Sequence, residues 1–129
     1  MKTFPLVLAA LVFMAAPVEA KRLHPEKYYQ EKFCQERGGV TEYVLPDRKR
    51  VDCLTDDVAF EIDFADKAPQ CIGQALMYAA ATGRDPGCVL IIEDQEKGER
   101  HLVDLLEATH RSVYRWQVWV TGPGHDGKN

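Results

Sequence analysis

Positive charge is in the minority in this chain: 16 Lys and Arg stand against 20 Asp and Glu, for a net charge of −4 with the four histidines neutral. That balance excludes a general electrostatic affinity for polyanions. The four cysteines show no paired C-x-x-C or Cys/His spacing, so a structural zinc site has no support. Internal repeats, linkers and low-complexity blocks are missing too, which leaves one domain with one modest core. Trp116 and Trp119 fall on opposite faces of an alternating stretch, which rules out a shared stacking platform and places at least one of them in the core. No Ser/His/Asp arrangement can be assembled, and His101 and His110 read as surface residues.

The one long apolar run is at the start. Lys2 supplies a short basic end, residues 4–16 are apolar but too few to cross a bilayer, and Val18-Glu19-Ala20 ends in a small residue. Residues 1–20 therefore read as an export signal cleaved after Ala20, leaving no membrane span and directing the protein to the periplasm or outside the cell. Lys2 and Glu19 cancel, so the mature chain keeps its charge of −4. Residues 121–129 hold three glycines, a proline and no apolar anchor, and read as a disordered tail with His125 and Asp126 solvated.

Export brings an oxidising environment, so disulfides are expected. Cys34, on a first helix, and Cys53, on the apolar face of a strand, are the favoured pair. Cys71, early in a helix, and Cys88, at the start of the strand that runs back beside it, come out roughly 10 Å or more apart from the helical rise, which disfavours their bridge.

Periodicity and punctuation predict the elements. A helix opened by Pro25, with His24 as its cap, runs to about Arg37 with Tyr29 and Phe33 as its buried stripe, and Gly38-Gly39 stops it. Three strands follow over residues 40–45, 49–54 and 59–64. Asp66 is expected to cap a helix over 67–82 that tolerates Pro69 and ends at Gly83. Residues 87–93 form a strand apolar enough to be covered on both faces, 94–100 a charged loop, 102–109 a short helix and 113–120 a last strand. The result is an α/β (α+β) domain over residues 21–120, with a mixed central sheet flanked by helices in the order αβββαβ and an extra short helix and strand at the end.

The stretch from Arg50 to Asp63 carries the chemistry. With the turn over residues 55–58, cross-strand partners place Asp52 opposite Glu61 and Arg50 opposite Asp63, all on one face. Val51, Cys53, Phe60, Ile62 and Phe64 line the other face, ready to be buried. Two carboxylates on neighbouring strands can hold a hard divalent cation, and Mg2+ or Mn2+ prefers oxygen ligands; Asp52, Glu61 and the carbonyl of Ile62 would form half of its shell.

A helix, a meander with an acid near the end of its second strand, acids in its third and a helix bearing glutamine together resemble the PD-(D/E)XK nuclease superfamily, the restriction-endonuclease-like fold. Asp52 matches the first acid and Glu61-Ile62-Asp63 matches acid-x-lysine. Gln74-Ala75-Leu76-Met77-Tyr78 matches the Q-x-x-x-Y signature of some branches. Residues 24–93 are similar to small uncharacterised bacterial members. The resemblance implies a Mg2+-dependent endonuclease or exonuclease acting on nucleic acid, with Asp52 and Glu61 as metal ligands. It also implies catalytic roles for Gln74 and for a lysine.

That lysine is absent, because Asp63 stands in its place and an ionised carboxylate donates no hydrogen bond. Lys67 is the substitute, on the helix that carries Gln74 and facing the same side. Against this, Asp63 with Arg50 makes an ordinary cross-strand ion pair, and Lys67 a solvated residue at a helix start. Glu26, Glu31 and Glu42 are candidates for a further acid, each more simply a surface residue, and the register of the first hairpin decides Glu42. Arg48-Lys49-Arg50 reads as a charged turn or as a phosphate contact. The function expected is phosphodiester hydrolysis on DNA; the alternative is a catalytically degenerate nuclease fold serving as an exported binding or structural module.

Overall fold

The computed structural model describes residues 21–125, so the expected signal segment 1–20 and residues 126–129 lie outside the described part. The order is α1 (Glu26–Glu36), β1 (Val40–Val44), β2 (Arg50–Leu54), β3 (Val58–Phe64), a 3-10 turn (Ala65–Lys67), α2 (Ala68–Thr82), β4 (Asp85–Ile91), α3 (Gln95–His110) and β5 (Gln117–Thr121). The strands form one mixed sheet in the order β1-β2-β3-β4-β5. The first three make the antiparallel meander expected, and β4 and β5 add in parallel. Helices flank this sheet, and the fold class is α+β. No helix among the described residues is long and apolar enough to cross a membrane.

Each face of the sheet is closed by side chains whose spacing matches their element. On one face Tyr29 and Phe33 of α1 pack on Phe60, Ile62 and Phe64, with Trp119 against them. Full burial of each such side chain contributes about 1.5–3 kcal/mol. On the other face α2 lays Ala68, Cys71 and Ala75 over Cys88 and Leu90, and Leu105 of α3 joins them. Trp116 packs against this second group, so both tryptophans are partly buried, on opposite faces. β4 is buried from Pro86 onward, as a strand with neighbours on both edges and cover on both faces should be.

Several local expectations need correction. Pro25, not His24, is the N-cap of α1, and the His24 ring stacks on Tyr28 at 4.1 Å. Asp66 does not cap α2; its carboxylate is drawn off to Arg22 at 2.9 Å, and Lys67 occupies the cap position. Gly83 ends α2 in the left-handed region at φ 69°, as expected. The charged stretch after β4 is helical from Gln95, because Asp94 accepts a hydrogen bond from the Lys97 amide and caps it. The alternation from Val113 becomes a strand only at Gln117, and that strand runs on to Thr121, which was expected in the tail but is buried and accepts from the Ile92 amide at 2.9 Å.

The disulfides are the largest correction. Cys34–Cys53 forms as favoured, with Cα atoms 5.5 Å apart, and ties α1 to β2. Cys71–Cys88 forms as well, with Cα atoms 5.8 Å apart, and ties α2 to β4. The strand begins at Asp85 rather than at Gly87, so two further residues, about 7 Å of extended chain, carry Cys88 up to the level of Cys71.

Candidate functional site: a buried acid cluster

The site is built where the sheet stops being regular. The register of β1 on β2 pairs Thr41 with Cys53 and Tyr43 with Val51, and skips Glu42 and Asp52 between them, because Glu42 adopts a left-handed φ of 53°. The Asp52 carbonyl is thereby freed from the ladder and accepts from Gln30 Nε2 at 2.8 Å; the same nitrogen donates to Glu42 Oε1 at 2.9 Å. Register therefore puts Glu42 beside Asp52, which settles the slip that the sequence left open.

On the other side, β2 and β3 pair only at Cys53 with Phe60 and Leu54 with Ala59. The expected register is kept, but the ladder ends one step before Asp52 and Glu61. There the Asp52 side chain replaces it: Oδ2 accepts from the Ile62 amide at 2.8 Å. Because the strands part at this point, Arg50 never meets Asp63, and the expected ion pair does not form. Its guanidinium lies 3.5 Å from Glu42 instead.

Three carboxyls, Asp52, Glu61 and Asp63, therefore share one face, with Glu61 and Asp63 only 5% exposed each. Glu61 sits within hydrogen-bonding reach of both neighbours, and Asp63 in turn touches Glu26 from the first turn of α1. When all are ionised these are contacts of acceptor against acceptor, and Glu61 Oε2 and Asp63 Oδ2 are buried with no donor. Burial first, and the neighbouring acids second, push the proton affinities up. Asp63 rises to about 7, and the tightly coupled Asp52 and Glu61 are both raised, Glu61 the more because it lies between two charges. Glu26 is raised by its own burial against the opposing pull of Lys67.

α2 roofs this cluster. Tyr78 is 6% exposed, its hydroxyl donates to Gln74 Oε1 at 3.2 Å and reaches Glu61, and burial followed by the Glu61 charge raises its pKa. Gln74 is exposed and meets the site through Tyr78. Lys67 is exposed, and among the described residues it forms no ion pair within 4.0 Å, although its charge acts on Asp63 and Glu26. Glu31 lies on the surface, 3.6 Å from Lys27. The basic turn is also a surface feature: Arg48 has φ 69°, and Lys49 pairs with Asp47 at 3.4 Å.

Glu26, a candidate for the further acid although a surface position is the simpler expectation, joins the cluster, and Gln30, for which the sequence carries no expectation, joins it too. Both lie one helical turn apart on α1 and are at least half-buried, Gln30 to 4% exposure. The signal for them was their helical spacing, which puts Glu26 and Gln30 on the same face as Tyr29 and Phe33, the face that packs on the sheet.

Both disulfides brace this region. Cys53 follows Asp52 directly, Cys88 is the cross-strand partner of Glu61, and Cys71 Sγ lies 3.3 Å from the Glu61 carbonyl oxygen. Among the described residues, no three His, Cys, Asp or Glu side chains form a group that already has the geometry to hold a metal ion. Compared with family models, with curated proteins and with solved structures, the chain matches none.

Proposed function

We propose that this protein is an exported, divalent-cation-dependent phosphodiester hydrolase that acts on DNA, built on a restriction-endonuclease-like core of α1 through β4. The observation that carries the reading is the pair of buried oxygens, Glu61 Oε2 and Asp63 Oδ2, with no hydrogen-bond donor. A cluster of like charges in this state has two ways to be relieved, by protons or by a cation. The donor set fits a hard cation, since every side-chain ligand is oxygen, and Asp52 and Glu61 project from adjacent strands at the point where they part. Mg2+ or Mn2+ bound there would supply charge neutralisation for a scissile phosphate and acidify a water.

The residues divide the remaining work. Asp52 is held from both ends, by Gln30 at its carbonyl and by the Ile62 amide at its carboxylate, so its direction is fixed before any ligand arrives. Tyr78 holds Glu61 from above. Lys67, at the start of α2, is the cation positioned on the Asp63 and Glu26 side, and it takes the part of the lysine that the resemblance requires. The two disulfides suit an oxidising compartment.

One observation favours a second reading, a catalytically degenerate module with the nuclease fold. Lys67 is exposed, while the position expected to hold the lysine is filled by a buried acid. The test is incubation of the purified protein with plasmid DNA and with RNA in Mg2+ or Mn2+, beside Asp52→Ala and Glu61→Ala. Metal-dependent nicking that is lost in both variants supports hydrolysis. A metal-dependent rise in melting temperature without nicking supports the degenerate module, and no metal response in either measurement rejects the cation site.

A further inference from the structure

A cavity of about 470 Å3 opens at the C-terminal edge of the parallel strands, and none of Glu26, Asp52, Glu61 or Asp63 lines it. Its size falls within the range of small-molecule sites, roughly 300–1,000 Å3. Its position, outside the carboxyl ends of parallel strands, is where α/β sheets take ligands. The walls come from the segment before α1, from the turn after β3, and from the β4–α3 corner. Ile91 and Ile92, both nearly fully buried, lie beneath its floor, and the apolar side chain open to a ligand is Leu23. Gly98 lets α3 close down on that floor, since a Cβ there would collide with the Ile92 side chain.

Charge on the rim is unevenly spent. Arg22 is paired with Asp66 at 2.9 Å, and Lys97 with Asp94 at 3.7 Å. Glu93 is occupied by three donors, the Leu23 and His24 amides and the Tyr29 hydroxyl. Burial works to raise its pKa, but these hydrogen bonds outweigh it and hold the carboxylate ionised. Lys21 and Arg100 are left with no ion-pair partner among the described residues, and the His101 ring lies beside them on the same rim. In a chain of net charge −4 this is a local surplus of positive charge beside an apolar side chain, Leu23.

We propose that this cavity binds a small organic phosphate of mononucleotide size, its phosphate held by Lys21 and Arg100 and its apolar portion laid against the exposed Leu23 side chain. A guanidinium and an ammonium together match a phosphate dianion in charge, and the guanidinium matches its oxygens in geometry. The site is independent of hydrolysis at the acid cluster.

The test is titration with AMP, adenosine and inorganic phosphate, followed by amide chemical shifts at Ile91, Ile92 and Gly98. AMP should saturate in the millimolar range or below and bind more tightly than either fragment. A Lys21→Ala, Arg100→Ala double variant should weaken AMP about tenfold, while Lys49→Ala on the distant hairpin leaves it unchanged. Both charges are exposed, so the variant's fold is checked by its unaltered circular dichroism. Glu61→Gln should bind AMP as wild type does. The proposal is overturned by the absence of saturable AMP binding up to about 10 mM, by phosphate alone binding as tightly as AMP, or by an undiminished affinity in the double variant.

Discussion

Asp63→Asn should make the protein more stable, and by an amount that depends on pH. The wild-type carboxyl is 5% exposed and its pKa is raised from 3.8 to about 7, by burial first and by Glu26 and Asp52 next. Between those values the folded state holds a proton that the unfolded chain has released, so unfolding free energy falls as pH rises through the window. At about 1.4 kcal/mol per pH unit the penalty approaches about 4 kcal/mol by pH 8. Below about pH 4 both states are protonated and the penalty vanishes. Asparagine keeps the shape, removes the charge and brings a donor to a group of acceptors. Urea unfolding in EDTA should therefore show the variant about 2–4 kcal/mol more stable at pH 8, with the gain shrinking to within about 0.5 kcal/mol near pH 4. A variant less stable than wild type at pH 8, or a difference that does not change with pH, would refute the claim that like charges are stored in this cluster.

Other perturbations follow from the same geometry. Gln30→Ala leaves the Asp52 carbonyl and Glu42 without their shared donor, and should cost about 1–3 kcal/mol in urea unfolding and slacken any metal response. Tyr78→Phe removes the hydroxyl that reaches Gln74 and Glu61, and should cost about 1–2 kcal/mol at pH 5. Replacing Cys34 and Cys53 together by alanine opens a loop whose ends are 19 residues apart, and should lower stability by about 3 kcal/mol. A loss under about 1 kcal/mol there would show that α1 is held on the sheet without the bridge.

Much of the fold could be read in the residues because its signals are local. Tyr29 and Phe33 at helical spacing, the alternation from Val51 to Phe64 and the αL glycine at Gly83 each determine their element without reference to the rest. What could not be read depends on distant partners. Asp66 has the chemistry of a cap, and only the approach of Arg22 from 44 residues away takes it out of that role. The expected separation of Cys71 and Cys88 fails because the strand starts two residues earlier than its apolar run suggests, a small difference in sequence and a large one in extended chain. At the site, the register of Asp52 with Glu61 followed from the hairpin, but the parting of the strands did not, since there the Asp52 carboxylate takes the Ile62 amide in place of the ladder. The sequence showed an acid face; that α2 buries this face beneath Tyr78 is a property of the tertiary packing.

The most direct test of the account is calorimetric titration of Mn2+ into the wild-type protein and into Asp52→Asn and Glu61→Gln at pH 8. The account predicts saturable binding by the wild type, accompanied by release of protons from the cluster, and loss of that binding in both variants. Binding that is absent from the wild type, or that survives in both variants, would contradict it.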